Sequence, residues 1–127
     1  MDIKSLYTLE SHEKGAELNL LSPLDGKPTD CYLTVVGSDS VAWRESELNG
    51  KRRVLELFKS GEGDNTKHNE VIAETLAGAV VGWKGFEDKG KELKFDKAFL
   101  KELFINSPFI ADQVDTFIGN RANFIKG

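Results

Sequence analysis

The sequence predicts an α+β fold, predominantly α-helical, with an N-terminal antiparallel β-hairpin followed by about four helices. Three observations carry this expectation. Residues 17–20 and 32–35 alternate polar and apolar side chains on either side of a turn-rich loop. Downstream, apolar residues recur at helical spacing. Helix-capping residues, Asp39 or Ser40, Asp96 and Ser107, stand at the heads of periodic segments.

In chain order, residues 1–14 are weakly patterned, and Ile3, Leu6 and Leu9 suit either a short helix or a docked extended arm. The hairpin follows. Pro23 presets a turn dihedral and Asp25-Gly26 tolerates left-handed geometry, so residues 22–28 connect two strands with Leu18, Leu20, Leu33 and Val35 facing the core. A lone hairpin is marginal in water, so helices must cover its apolar face or another chain must extend it. The first long helix begins at Asp39 or Ser40 and ends at Ser60-Gly61. Its stripe is Val41, Leu48 and Leu55, joined less regularly by Trp43, Val54 and Phe58. Gly50 costs it about 1 kcal/mol relative to alanine, which leaves one weakened helix as the favoured reading over two shorter ones.

Residues 61–65 form the one flexible-looking linker. A second helix then carries Ile72, Leu76, Ala79 or Val80, and Trp83 at i, i+4, i+7 or i+8, and i+11. Residues 87–91 are a polar loop, placed at the tip of a small hairpin pairing 83–86 with 93–95. Asp96 caps the next helix, residues 97–105, with Phe95 and Leu100 at the spacing of a hydrophobic staple. That helix ends at Asn106, and Ser107-Pro108 starts the last one, with proline at the first helical position. Ile110, Val114, Phe117 or Ile118, and Phe124 or Ile125 form its stripe. It is expected to run to about Lys126, roughly 25–28 Å at 1.5 Å per residue.

A chain of 127 residues forms one domain, residues 1–127, and holds a core without staples. Its net charge of −4 and pI near 5.2 give no cationic excess for displacing counterions from phosphates, so no nucleic-acid partner is expected. The short basic run Lys51-Arg52-Arg53 reads as a solvated helix face. Cys31 is the only cysteine, which excludes an internal disulfide. No apolar run reaches the roughly 20 residues of a membrane span, and no signal-peptide segment opens the chain. The expected location is the cytoplasm of whatever cell makes it, with no membrane partner.

Catalytic, cofactor and metal sites are all expected to be absent. His12 and His68 stand apart in polar contexts, and no zinc or di-iron spacing occurs. Ser38 and Ser40 lack the setting of a nucleophile elbow and read as helix caps. Neither a Gly-x-Gly-x-x-Gly motif nor a P-loop is present. The aromatics are more informative. Every phenylalanine except Phe58 lies at or beyond position 86, and a small domain does not easily bury them all. Phe109 falls off the stripe of its helix, as does Asp112, while Ile110, Phe117 and Phe124 share heptad spacing. Phe86, Phe109, Phe117 and Phe124 are therefore the candidate partner or self-association surface.

Three segments in order carry a family resemblance. They are Gly15-Ala16-Glu17-Leu18-Asn19-Leu20-Leu21-Ser22-Pro23-Leu24-Asp25-Gly26, then Val35-Val36-Gly37-Ser38-Asp39-Ser40 followed by Arg44, then Val81-Gly82-Trp83-Lys84-Gly85-Phe86 with Leu93-Lys94-Phe95-Asp96, a leucine-bearing helix and Ser107-Pro108. This order, over residues 15–125, resembles the tail assembly chaperones of long-tailed (siphovirus) bacteriophages. The resemblance implies a non-enzymatic protein of the host cytoplasm that binds the tape measure protein and helps the tail tube protein polymerise around it. Such proteins are absent from the mature virion. Many are also made as a frameshifted longer form, of which this chain would be the short version. Many weak sites along a long partner imply a homo-oligomer. The alternative is a minor structural or connector protein retained in the tail.

Overall fold

Alternating side chains in residues 16–21 and 28–35 do form a hairpin, but it is two-thirds of a sheet rather than the whole of one. The computed structural model describes residues 1–125. A 3₁₀ turn (Ile3–Leu6) and a short helix α1 (Leu9–Lys14) precede strands β1 (Ala16–Leu21) and β2 (Pro28–Val35). Helices α2 (Val41–Ser60) and α3 (Asn65–Ala77) lead into β3 (Val80–Lys84), which pairs with the free edge of β2. A two-residue-per-strand ribbon, β4 (Glu87–Asp88) and β5 (Lys91–Glu92), is followed by α4 (Lys97–Asn106), α5 (Pro108–Gly119) and a 3₁₀ turn (Arg121–Phe124). The class is α+β and mostly helical. Among the described residues there are five α-helices rather than four, and one of them precedes the hairpin.

The sheet has the order β1-β2-β3, antiparallel throughout. Leu18 pairs with Leu33 and Ala16 with Val35, which turns Leu20, Leu33 and Val35 inward and leaves Leu18 half-buried. The opposite face is polar: Lys84 Nζ lies 3.1 Å from Glu17 Oε1 and 4.7 Å from the Tyr32 ring centroid. One covered face and one wet face is the usual solution for a small antiparallel sheet. The exposed edge of β1 is closed by a side chain. Gln113 of α5 accepts from the Leu21 N–H at 2.8 Å and donates to the Leu21 carbonyl at 3.1 Å, replacing a strand's hydrogen bonds.

Strand β3 corrects the sequence expectation most directly. Ala79, Val80 and Trp83 sit at helical spacing from Ile72, yet α3 stops at Ala77. Gly78 lowers helix propensity there, and Val80-Val81 is a β-branched pair. The apparent periodicity comes from a bulge. Val80 opposes Val35 and Gly82 opposes Thr34, so Val81 is an extra residue, and Trp83 falls opposite Leu33. Val80 and Trp83 thus reach the same face although three residues apart, which imitates a helix. Trp83 then donates from Nε1 to the Leu93 carbonyl at 2.9 Å. The small ribbon pairs Glu87 with Glu92 and Asp88 with Lys91 around Lys89 and Gly90, both at positive φ, so both its strands lie closer to the turn than expected.

Helix α2 is a single element, as its sequence favours, but its orientation is not the expected one. Ser40 is the cap: its Oγ accepts from the Trp43 N–H at 3.2 Å and donates to the Gly37 carbonyl at 2.6 Å. Gly61, in the left-handed conformation, ends the helix. The stripe expected to face the core points outward instead, with Val41, Leu48 and Leu55 each more than half exposed and Phe58 at 80 %. The inward side is built on Trp43, Ser46 and Gly50. A Cβ at Gly50 would lie 2.3 Å from Thr75 Oγ1, and one at Gly78 would lie 2.1 Å from Ser46 Oγ. Close approach of two backbones selected this face, because only small residues permit it.

At the C-terminal end, Asp96 Oδ1 accepts from the Ala98 and Phe99 N–H groups at 2.7 and 3.3 Å. Phe95 and Leu100 both join the central core. Pro108 opens α5 at its first turn, while the Ser107 side chain makes no capping bond. Helix α5 is shorter than expected, about 18 Å at 1.5 Å per residue. It ends at Gly119, and Asn120 caps the 3₁₀ turn that folds Phe124 back; the expected end at Lys126 lies outside the described residues. The core gathers Leu20, Leu33, Val35, Val80, Leu100, Phe104, Ile110, Val114 and Ile118. Ile3, Leu6 and Leu9 stay outside it, each more than half exposed.

Candidate functional site: an apolar groove between three helices

The four aromatics expected to make a surface do not share one. Phe124 is 3 % exposed, with ring centroids 5.1 Å from His12 and 5.4 Å from Phe117, so it is core and is withdrawn from the candidate surface. Phe86 lies against Trp83, at 4.7 Å between ring centroids, beside the half-exposed Phe99. Phe109, 43 % exposed, and the partly buried Phe117 line a trough of about 550 Å³ between α5 and β1, with Leu18, Leu21 and Gln113. Phe109 falls off the helical stripe in sequence and is open in the fold.

On the other flank of α5 lies a groove that periodicity did not indicate. It has a volume of about 500 Å³ and is lined by Trp43, Gly50 and Val54 of α2, by Val71, Ile72, Thr75 and Leu76 of α3, and by Ala111 of α5. The floor is apolar: Trp43, Val71, Leu76 and Ala111 are buried, and Ile72 stands half-exposed at the rim. Gly50 makes the groove possible, because its missing side chain brings α2 against α3 and leaves the space beyond open toward α5. A glycine inside a helical pattern was the available sequence signal, since its propensity cost points to a packing or functional reason at that position.

The mouth of the groove carries Glu47, Asp112 and Asp115, against a single Lys51. Among the described residues none of these four has an ion-pair partner within 4.0 Å. Helix faces wall the groove on all sides, so their backbone groups are already committed to i→i+4 hydrogen bonds. Such a surface offers apolar contact and negative charge, but no strand edge for an extended peptide.

A second cluster is structural. Asp39 accepts from Thr8 Oγ1 at 2.6 Å and from the Arg44 and Arg121 guanidinium groups at 3.2 and 3.0 Å, tying α1, α2 and the C-terminal turn together. His12, fully buried, accepts the Asp39 N–H at Nδ1, while its Nε2 has no hydrogen-bond partner among the described residues and lies 3.9 Å from Asp39 Oδ2. The polar sequence context of His12 hid this burial. Arg121, then Thr8 and Arg44, hold the Asp39 carboxyl well below the usual carboxylate range. The stabilisation is therefore fully present above the unfolded-state value near 4 and is lost as pH falls toward the depressed folded one. Asp39→Asn should be less stable than the native chain at pH 7. The gap in unfolding midpoint should narrow progressively below about pH 4; a gap that is constant down to pH 2 would contradict the assignment.

Among the described residues no group of three His, Cys, Asp or Glu side chains is placed to hold a metal ion. No described helix is long and apolar enough to cross a membrane. Compared with protein-family models, with curated proteins and with solved structures, the chain matches none.

Proposed function

We propose that this protein is a non-enzymatic assembly chaperone of the kind found in long-tailed bacteriophages. In this reading it binds a tape measure protein in the host cytoplasm, promotes polymerisation of the tail tube protein around it, and leaves before the tail is finished. The observation that carries the reading is the open groove between α2, α3 and α5, whose apolar floor is sized for side chains from another chain. The order of strand, turn, cap and helix-end segments over residues 15–125 supports it independently. The outward Val41, Leu48 and Leu55 of α2, seven residues apart, provide a stripe for homo-oligomers along a long partner.

Co-expression with a cognate tape measure protein tests the reading. The expected result is a soluble tape measure protein that aggregates when this chain is omitted. Equal aggregation with and without the chain would overturn it. Peptides of this chain in purified mature tails would instead favour a minor tail or connector component.

A further inference from the structure

We infer that the α2–α3–α5 groove takes an amphipathic helix of its partner whose apolar stripe is flanked by lysine or arginine. This deepens the chaperone reading and rests on it, by assigning the chemistry of the segment that is held. Two features of the groove lead there. The first is backbone accounting. An extended peptide laid on three helices would bury N–H and C=O groups that no neighbour can satisfy, whereas a helix arrives with its own hydrogen bonds made. The floor of Trp43, Val71, Leu76 and Ala111 then receives apolar side chains at i, i+3 or i+4, and i+7.

The second is charge. Glu47 stands on the α2 wall, while Asp112 and Asp115, three residues apart, stand on the α5 wall. The three carboxylates face one ammonium, Lys51, and none of them is paired within the described part of the chain. A helix with acidic flanks is repelled from both walls. One with basic flanks places cations against carboxylates while its stripe covers the floor, which fixes orientation as well as attraction. Phosphate-bearing partners are disfavoured by the same rim.

Two synthetic 18-residue helical peptides with one identical leucine stripe, flanked by lysines in one and by glutamates in the other, test this by fluorescence anisotropy. The lysine peptide should bind at least about tenfold more tightly, and the preference should shrink as salt screens the rim. Glu47→Gln/Asp112→Asn/Asp115→Asn should weaken it by about tenfold, which is about 1.4 kcal/mol shared among three rim charges. Ile72→Lys, at an already exposed rim position, should weaken it too. Glu87→Gln/Asp88→Asn/Glu92→Gln, which removes three charges from the distant ribbon, should leave it unchanged. Equal binding of the two peptides, no binding of either, or equal weakening by the ribbon variant would overturn the inference. If the groove triple variant still keeps the tape measure protein soluble, the inference falls and the chaperone reading stands. If the lysine peptide binds as described but the tape measure protein aggregates regardless, that reading falls instead.

Discussion

Leu100→Ala should lower the unfolding free energy by about 2–5 kcal/mol, measured from the denaturant midpoint at constant m-value. Leu100 is fully buried on α4, in the one core shared by the sheet and the helices, and Asp96 and Pro108 hold the ends of the helical pair around it. Truncation removes its transfer free energy and leaves a cavity that surrounding rigid elements close only in part. Domains of this size are stable by roughly 5–15 kcal/mol, so this single change consumes a large share. In the isolated protomer, at a dilution where no oligomer forms, the same substitution at Leu48 or Leu55 should cost about 0.5 kcal/mol or less beyond any change in helix propensity, because both point to solvent there. A Leu48→Ala loss as large as that at Leu100 in the dilute monomer would mean that α2 is turned the other way.

Gly50→Ala should destabilise the protein by about 1–3 kcal/mol, although alanine is the better helix former by about 1 kcal/mol. Its Cβ would meet Thr75 Oγ1 at 2.3 Å. Threonine cannot easily swing away, since its χ1 is restricted and its hydroxyl donates to the Val71 carbonyl at 2.8 Å. Thr75→Ala removes the obstructing oxygen, and the next nearest threonine atom, Cβ at 3.5 Å, makes an ordinary contact. The double substitution should therefore be at least as stable as Thr75→Ala alone, with alanine's propensity advantage now expressed. A double-mutant cycle with no coupling between the two positions would refute the contact. Because the two residues also line the groove, the cycle reports on how the groove is held open.

Where a local rule acts within a few residues, the sequence is legible. Ser40 and Asp96 both bond the N–H groups expected of a cap, Pro108 sits at the first helical position, and the hairpin strands pair with Leu18 opposite Leu33. Periodicity was less dependable. At Val80 and Trp83 a bulge produced the same spacing as a helix, and at Val41, Leu48 and Leu55 a true helical stripe faced outward. In both places the outcome depended on a partner far away in sequence: the free edge of β2 in the first, Thr75 of α3 and Gly78 just beyond it in the second. The candidate site was legible in part. Phe109 is open to solvent, Phe124 is core because α5 ends at Gly119 and the chain folds back over His12, and the groove residues Trp43, Val54, Ile72 and Ala111 share no local pattern.

The sequence by itself determined the α+β class, the caps, the long first helix, the staple residues around Asp96 and the acidic balance. Each of these is decided by side-chain chemistry within about one turn of helix or one strand pair. Only the tertiary structure decided the third strand, the outward face of α2, the length of α5 and the groove itself. Those depend on which surfaces come within contact distance, and for α2 and the groove glycines at 50 and 78 set that distance by leaving out a side chain.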